Sequence, residues 1–322
     1  MKLKALYDFI VKEGIAADLR NKKDILKTLK EAKKAYRQLE RRSKKFFDKE
    51  SFENPYADTR ILYGEFHREV HQILVGIDIE VGEILLADSL MQKGQAIDLV
   101  IAHHPEGKAL AALHDVMGLQ TTLLEDLGIG KDIARDFMDK RIHEVARRIH
   151  GGNHTRAVDA AKLLDIPFLC CHTPSDNHVA RYLQQKLDRA KPKKLKDILD
   201  ILLKEPEYQD ACENKAGPTI LLGKPMDAAG KIIVDMTGGT EGSKDLFARL
   251  SQVGVTTIIG MHLSEEHYSR VKNEHIHVVI AGHISSDNLG MNLLLDKLER
   301  KERFNIIECS GFRRIRRPRM AW

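Results

Sequence analysis

The stretch ILVGIDIEVGEILLADSLMQKGQAIDLVIAHH at residues 73–104 decides the fold. It opens with a short apolar run, continues with an amphipathic segment near 82–94, and closes with a second apolar run, IDLVIA at 97–102. Short apolar runs joined by an amphipathic helix are typical of parallel strands with a crossover connection. The stretch therefore predicts a strand–helix–strand unit of an α/β architecture.

The alternation continues along the chain and repeats once in recognisable form. KIIVDM at 231–236 is followed by a helical segment and by VTTIIGMH at 255–262, so Asp235 and His262 match Asp78 and His103 of the first unit. Further apolar runs are IPFLCC (166–171), TILLG (219–223), HVVIAG (277–282) and NIIEC (305–309). The repeat predicts two similar α/β halves with mostly parallel strands.

Composition changes suggest where the halves begin and end. Residues 1–70 are predicted to form a basic helical N-terminal extension, and residues 71–190 the first α/β half. The stretch 191–216, which contains Pro192 and Pro206, is predicted to be a helical linker. Residues 217–322 would then form the second half together with an Arg-rich tail.

Positive charge is concentrated at the two ends of a chain whose net charge is +5. Residues 1–70 hold 18 Lys and Arg against 12 Asp and Glu, and the tail RRIRRPR at 313–319 holds five Arg and no acid. An apolar stripe after Asn21, a good N-cap, predicts a long basic helix reaching Phe46, paired with a shorter helix at about 3–13. Such a hairpin serves either packing and oligomerisation or contact with nucleic acid.

The composition excludes several protein classes. Apolar residues make up 43% of the 322 residues and charged residues 31%, values typical of a globular protein. No apolar run approaches the roughly 18 residues that a membrane helix needs, and charges interrupt the first twenty residues, so neither a membrane span nor a secretory signal is expected. The four cysteines lack CxxC spacing. A reducing cytoplasmic location is therefore expected.

Histidines mark the ends of three apolar runs: AHHP at 102–105, CHTPSD at 171–176 and GHISSD at 282–287. The carboxyl ends of parallel strands form the ligand crevice of open α/β sheets, so these segments should converge there. His172 and Asp176 share the spacing of His283 and Asp287, which a helix cap would also explain. Adjacent His103 and His104 would alternate faces in an extended chain, but Pro105 breaks the strand, so they could serve two ions or wrap one.

Imidazole and carboxylate groups without thiolates suit Zn, Mn, Fe, Co or Ni and argue against a structural zinc site. A carboxylate can bridge two ions about 3.5–4 Å apart and leave room for a water between them. Together the three His-bearing segments predict a metal centre with hydrolytic potential.

At this point the sequence resembles the NIF-three proteins (NGG-one-interacting factor three), described as type 2 GTP cyclohydrolase I homologues. The matching segments are ILVGIDI, AIDLVIAHHPEG, HTPSDN and HVVIAGHISSDNLGMNLLLDKL, which span roughly residues 72–310. The resemblance implies two similar α/β halves, ring-shaped homo-oligomers such as hexamers, and two divalent metal ions per chain. It implies as ligands His103, His104, Asp176, His283 and Asp287.

One position departs from the family pattern. The last acid is usually Glu, whereas this chain has Asp287, whose shorter side chain would demand backbone movement or weaken one metal position. The N-terminal helices and the Arg-rich end are also unlike the family pattern.

Other polar residues allow two interpretations each. His172 is either a proton carrier beside Asp176, the catalytic role that we assign to it, or a buried structural histidine. His262, in HLSEEH at 262–267, could face a substrate or solvent. The turn TGGTEG at 237–242 could cradle a phosphate, but it lacks the P-loop Lys and suits a tight connection. Cys170 and Cys171 suit strand packing.

Three functions remain open from the sequence. The first is a cytoplasmic metal-dependent hydrolase acting on a nucleotide-like or phosphate-bearing small molecule. The second is a non-catalytic metal-binding, delivery or regulatory protein with the same ligands. The third is a nucleic-acid-associated module using the basic ends. Aromatic residues are only 6% of the chain and do not interleave with the basic stretches, which disfavours the third.

Overall fold

Two β-sheets and the helices around them frame the protein in the computed structural model, which describes residues 1–317. The strands are β1 Thr59–Tyr63, β2 Gln72–Gly76, β3 Leu99–Ala102, β4 Phe168–Cys171, β5 Thr219–Leu222, β6 Lys231–Asp235, β7 Val255–Gly260, β8 His277–Ile280 and β9 Asn305–Cys309. The helices are α1 Leu3–Ala17, α2 Lys22–Gln38, α3 Val81–Gln92, α4 Gly107–Ala111, α5 Leu113–Val116, α6 Gly118–Asp126, α7 Lys131–His150, α8 Arg156–Leu163, α9 Thr173–Ala190, α10 Leu195–Leu202, α11 Pro206–Glu213, α12 Phe247–Gln252, α13 Glu265–Asn273 and α14 His283–Glu299. Short 3-10 turns occupy Lys44–Phe46, Lys49–Phe52 and Lys244–Leu246.

The strand order confirms an α/β fold of two similar halves with mostly parallel strands. The first sheet runs β1-β4-β3-β2-β9 and the second β5-β8-β7-β6. In each sheet the strands are parallel except for one edge strand, β1 or β5, which is antiparallel to its neighbour. Strands β3 and β4 are buried along their whole length, as expected of parallel strands covered by helices on both faces.

Helices α9 and α14 lie at the centre of the molecule and pack against each other. Each follows a parallel strand, β4 or β8, and each is buried through its first turns. Gly290 permits the close crossing, because a Cβ at this position would lie 2.5 Å from the carbonyl oxygen of Ser175. The N-terminal turns of the two helices, one from each half, are thereby held side by side.

Both N-terminal helices predicted from the sequence are present, and they differ in how deeply they are buried. Helix α1 is buried and packs against α9 and α14, whereas Ile25 is the one buried residue of α2. Asn21 caps α2 as expected, accepting a hydrogen bond from the backbone N–H of Asp24 at 3.1 Å. The prediction of a helix reaching Phe46 is wrong: α2 ends at Gln38, and the chain turns back so that Phe47 and Phe52 pack on the ring of Tyr36.

Both ends of the chain join the first sheet. Strand β1, from the stretch predicted as an N-terminal extension, pairs with β4, and β9, from the predicted second half, pairs with β2. After β9, residues 313–317 cross α14 and α11; we call this segment the C-terminal strap. The remainder of the Arg-rich tail, 318–322, lies outside the described residues.

The strap places its arginines on acidic residues of the same chain. Arg314 pairs with Glu299 at 2.8 Å and with Asp296, and Arg317 pairs with Glu205 at 3.0 Å and Glu207 at 2.6 Å. Basic charge that the sequence offered to an external partner is therefore used internally at these positions.

Among the helices of residues 1–317, none combines the length of a membrane span with sufficient apolar character.

Candidate metal centre

The histidine segments lie where the parallel strands of the two halves end. His103 and His104 follow β3, and their backbone N–H groups donate to the carbonyl groups of Gly76 and Ile77, which continues the pairing of β3 with β2. The two rings lie side by side with centroids 5.1 Å apart. His103 is fully buried, whereas the side chain of His104 is 26% exposed.

The two helices of the central pair supply the carboxylates. Asp176 lies in the first turn of α9 and Asp287 in the first turns of α14, and both are buried. Asp287 belongs to the same helix as His283, while Gly282, at the turn before them, has a φ of +107° that favours glycine. The helix N-termini also place positive backbone dipoles near both carboxylates.

Asp287 faces three imidazoles. Its Oδ1 lies 3.3 Å from Nε2 of His103, and its Oδ2 lies 3.5 Å from Nε2 of His104 and 3.6 Å from Nε2 of His283. The family resemblance leads one to expect a longer Glu here. The shorter Asp287 side chain nevertheless approaches His103 with one oxygen and His104 and His283 with the other.

Asp176 completes the cluster. Its Oδ1 lies 3.4 Å from Nε2 of His103, and its Oδ2 lies 3.6 Å from Nε2 of His172. The structure thus brings together all the residues that the sequence nominated: His103, His104, His172, Asp176, His283 and Asp287.

The buried ligand atoms of this cluster lack hydrogen-bond partners within residues 1–317. They are Nε2 of His103, Oδ1 of Asp176 and both carboxylate oxygens of Asp287. Buried polar atoms are normally paired, because an unpaired one costs about 1–3 kcal/mol. A bound metal ion would satisfy all of them.

The geometry forms two overlapping triads that suit such ions. Potential ligand atoms of His103, Asp176 and Asp287 lie within 4.8 Å of one another, and so do those of His104, His283 and Asp287. A further group of the same compactness joins His103, His104 and His172. These buried His and Asp groups could therefore hold a metal ion.

Hydrogen bonds fix three of the imidazoles from behind. Nδ1 of His104 lies 2.6 Å from Oδ1 of Asp78, Nδ1 of His172 lies 2.9 Å from Oδ2 of Asp58, and Nδ1 of His103 lies 3.2 Å from the carbonyl oxygen of Cys171. Because carboxylate and carbonyl oxygens accept, each Nδ1 donates, and in the neutral ring Nε2 carries a lone pair toward the cluster.

The sequence analysis missed the partners Asp58 and Asp78 in this role. Asp78 carried a signal, since it lies two residues beyond the end of β2, at the same sheet edge as His104. Asp58 precedes β1, whose antiparallel pairing with β4 brings it beside His172, and no spacing in the sequence reveals that contact.

The electrostatics of the cluster are unbalanced without a bound cation. Burial lowers the pKa of His103 to about 4 and raises the pKa of Asp176 to about 7. Burial also opposes the charge of His104, but the adjacent carboxylates of Asp287 and Asp78 prevail and raise its pKa to about 10. A divalent ion would favour the ionised acids and neutral imidazoles that metal ligation requires.

A cavity of about 990 Å³ opens beside this cluster. His104, His172, Asp176, His283 and Asp287 all contribute to its wall. The candidate centre is thus accessible to a small molecule.

His262 and His267, the other histidines of the segment HLSEEH, contact residues beside the cluster. The ring of His262 lies 4.9 Å from that of His283, with Nδ1 3.5 Å from Oε1 of Glu241. The buried ring of His267 is fully engaged, because Nδ1 lies 2.7 Å from the Ser264 hydroxyl and Nε2 lies 2.9 Å from the Gly242 carbonyl.

The glycine-rich turn 237–242 is held from within the protein. Gln120 donates its side-chain amide to the carbonyl oxygens of Gly238 at 2.9 Å and Thr240 at 2.7 Å. This part of the turn presents carbonyl oxygens to Gln120, as a tight connection does. Cys170 and Cys171 are buried in the first sheet, and burial raises the pKa of both thiols.

Comparisons with known proteins identify similar folds. No protein-family model matches the chain, and no curated protein matches it either. It is similar to the solved structure of an NIF3 superfamily protein from Sphaerobacter thermophilus, with 27% identity, a TM-score of 0.70, and coverage of 80% of this chain and 92% of that one.

Two further structures are more distant. Reduced HcgD from Methanocaldococcus jannaschii has 16% identity, a TM-score of 0.48, and coverage of 79% of this chain and 93% of its own. A Bacillus cereus protein related to NIF3 has 12% identity, a TM-score of 0.39, and coverage of 78% and 89%.

Proposed function

Because the chain belongs to the NIF3 superfamily, we propose that its buried His and Asp cluster binds two divalent metal ions and performs metal-dependent hydrolysis. The observation that carries the proposal is the set of buried ligand atoms without hydrogen-bond partners within residues 1–317. His103, Asp176 and Asp287 would hold one ion. His104, His283 and Asp287 would hold the other.

Asp287 would be the shared ligand of the two positions. Its two oxygens face different histidines, Oδ1 toward His103 and Oδ2 toward His104 and His283. With imidazole and carboxylate donors and no thiolate in the cluster, Zn, Fe, Mn, Co and Ni are the fitting ions. The two positions would differ in access, because His103 is buried whereas the His283 side chain is 41% exposed.

The chain's own residues supply the remaining requirements of hydrolysis. Two divalent ions bound here would supply Lewis acidity and lower the pKa of a water molecule. His172 would manage protons: Asp58 fixes its Nδ1–H at 2.9 Å, so its Nε2, 3.6 Å from Asp176, is free to take up a proton at the cavity wall. The side chain of His172 is only 9% exposed, which limits its exchange with bulk water.

The substrate that we propose is a nucleotide-like or phosphate-bearing small molecule, with a reaction of the type 2 GTP cyclohydrolase I kind. Divalent ions attract phosphate oxygens, and the adjoining cavity of about 990 Å³ is large enough for a molecule of that size.

A metal analysis paired with a turnover assay tests the proposal. We expect about two ions per chain in the purified protein, and hydrolysis of at least one member of a panel of nucleotides and phosphate esters. Replacing His104 with Ala should remove at least the more exposed ion and lower turnover by more than the roughly 10–100-fold typical of outer-shell changes.

His143→Ala is the matched control. His143 is exposed on α7, and its Nδ1 contacts only the Asp139 carbonyl of its own helix. This variant should keep full metal content and turnover. Turnover by His104→Ala equal to that of the metal-loaded parent protein, or parent turnover that survives metal removal, would refute the hydrolase proposal.

A second function uses the same ligands without catalysis. The exposure of His283 favours exchange of the ion at the outer position, as a metal-delivery or regulatory protein would require. Stoichiometric metal binding without turnover on any ester, together with transfer of the outer ion to a chelator within seconds, would favour this alternative over the hydrolase.

We further propose a ring-shaped homo-oligomer in a reducing, cytoplasmic location. Helix α3 presents an apolar face to solvent, on which Val81, Leu85 and Leu86 are 36%, 53% and 44% exposed. A second copy of the chain would cover such a face. The molar mass in solution, from light scattering, tests this proposal. The four cysteines are unpaired, which suits a reducing compartment.

A further inference from the structure

The cavity beside the candidate centre is apolar over most of its depth. It lies between the second sheet and helices α6 and α12. Its apolar lining includes Leu123, Leu124, Ile233, Phe247, Leu250 and Ile258. A volume of about 990 Å³ is at the upper end of the range for small-molecule sites. The wall therefore suits the apolar part of a ligand rather than a heavily hydrated group.

The charged groups of the cavity are mainly acidic, although the whole chain carries a net charge of +5. Two lysines, Lys191 and Lys231, contribute to the wall. Against them stand six carboxyl groups, those of Asp126, Asp176, Asp188, Asp235, Glu241 and Asp287. Away from the metal centre, four of these carboxyl groups remain against the two lysines, so this part of the cavity is matched to a cationic or hydrogen-bond-donating group.

Outside the metal cluster, Asp235 is a wall carboxylate that accepts no hydrogen bond from residues 1–317. It ends strand β6, at the carboxyl edge of the second sheet, and its exposed side chain lines the cavity. Among residues 1–317, no side chain or backbone group donates a hydrogen bond to it.

Glu241, another carboxyl group of the cavity wall, differs from Asp235 because it has partners within the protein. Glu241 accepts the backbone N–H of Ser264 at 2.7 Å and lies 3.5 Å from both His262 and His267. These contacts outweigh the effect of burial and lower the pKa of Glu241 to about 2. Glu241 is thus satisfied within the protein, whereas Asp235 lines the cavity and accepts no hydrogen bond from residues 1–317.

We propose that the cavity binds a small molecule with an apolar, ring-sized body and an amine or amidine group that pairs with Asp235. This inference rests on the proposed function only for the reacting end of the molecule, which would face His104 and Asp287. The apolar walls would hold the body, and Asp235 would select for N–H donors at the other end.

A binding assay with metal-free protein tests the cavity separately from the metal chemistry. The probes are 1-naphthylmethylamine, 1-naphthalenemethanol and ethylamine, measured by fluorescence or calorimetry. We expect the naphthyl amine to bind about tenfold more tightly than the naphthyl alcohol, as a charge-assisted hydrogen bond predicts. Ethylamine, which lacks the apolar body, should bind weakest.

Asp235→Asn removes the charge and keeps the shape. It should abolish the preference for the amine over the alcohol and leave the affinity for the alcohol unchanged. Asp188→Asn is the matched control, since Asp188 also lines the cavity but already accepts a hydrogen bond from Gln184 at 2.9 Å. A preference that persists in Asp235→Asn, or no binding of either naphthyl compound, would overturn the inference.

A parallel assay with metal-loaded protein separates the two proposals. Hydrolysis of 1-naphthyl phosphate should exceed that of glycerol phosphate at equal concentration. Turnover of both at equal rates would retain the hydrolase and refute the apolar cavity. Selective naphthyl-amine binding without any turnover would retain the cavity and refute the hydrolase.

Discussion

Asp287 shows how one residue can set the chemistry of a whole centre. Its carboxylate is buried, its two oxygens have no hydrogen-bond partners within residues 1–317, and three imidazoles surround it at 3.3 to 3.6 Å. An isolated buried carboxylate is costly unless a cation accompanies it. Its position is therefore more consistent with metal ligation than with a helix cap.

The role of Asp58 makes a prediction at the same scale. Its Oδ2 accepts from Nδ1 of His172 at 2.9 Å and from the Thr173 hydroxyl at 2.6 Å. In Asp58→Asn, an amide N–H facing His172 would favour the opposite imidazole tautomer and occupy Nε2 with a proton. We expect kcat to fall about 10–100-fold while metal content and KM stay unchanged.

The control for this prediction is Asp165→Asn. Asp165 is an exposed carboxylate bonded to the Tyr63 hydroxyl at 2.8 Å, away from the centre. The Asp165→Asn variant should leave kcat, KM and metal content unchanged. If Asp58→Asn instead loses metal with unchanged kcat per bound ion, Asp58 supports the ligands and His172 does not carry protons.

The residues of the centre were accessible from the sequence because each follows an apolar strand. The rule that parallel strands place their carboxyl ends together predicted that the three His-bearing segments converge, and the family resemblance then implied His103, His104, Asp176, His283 and Asp287 as ligands. Asp58 was not accessible, since its contact with His172 depends on the antiparallel pairing of β1 with β4. The unpartnered state of Asp235 depends on three-dimensional packing in the same way.

At the scale of elements, the C-terminal strap shows how a basic sequence can be structural. Arg317 reaches Glu205 and Glu207, whose side chains are only 5% and 1% exposed. Hydrogen bonds from Lys186, Tyr182 and Arg317 outweigh burial and lower the pKa of Glu205. Removing one partner of a buried ion pair leaves an uncompensated charge.

The strap predicts a pH-dependent stability difference. A carboxyl group with a lowered pKa stabilises the fold above its ordinary pKa, near 4.3, and loses that contribution as the pH falls through the folded value. We expect Arg317→Gln to lower the free energy of unfolding by about 3–5 kcal/mol at pH 7. The difference from the parent protein should shrink as the pH falls below about 4, in urea unfolding.

Arg316→Gln serves as the control for this experiment. The Arg316 side chain is 58% exposed and pairs with Glu299. An exposed pair contributes about 0–1 kcal/mol, so this variant should differ little from the parent. Equal losses of unfolding free energy in Arg317→Gln and Arg316→Gln would show that the contribution of the strap to stability does not depend on the buried glutamates.

At the scale of the whole molecule, the two halves share one architecture and use it differently. Strand β2 is followed by Asp78, which holds the metal-facing His104, whereas β6 ends at Asp235, which faces the cavity. The sequence repeat predicted the two related units. The exchange of strands that places β9 in the first sheet was not predictable, because the apolar run NIIEC fits either sheet equally well.

The proposed metal centre depends on the contact between the halves, because α9 carries Asp176 and α14 carries Asp287. A methyl group at position 290 would lie 2.5 Å from the Ser175 carbonyl oxygen and 2.7 Å from its hydroxyl, next to Asp176. Since backbone cannot yield as a flexible side chain does, Gly290→Ala should push the two helices apart. We expect a loss of about 1–3 kcal/mol in unfolding free energy and weaker metal binding.

Gly82→Ala separates this effect from a general response to the loss of glycine. Gly82 lies in α3, and a Cβ there would meet nothing within 4 Å, so the variant should be neutral or more stable by about 0.5–1 kcal/mol. Thermal unfolding of both variants measures their stability, and metal titration measures their affinity for the ions. If Gly290→Ala loses stability but binds both ions with unchanged affinity, then the centre tolerates separation of the halves, and the carboxylates of α9 and α14 cannot be acting on shared ions.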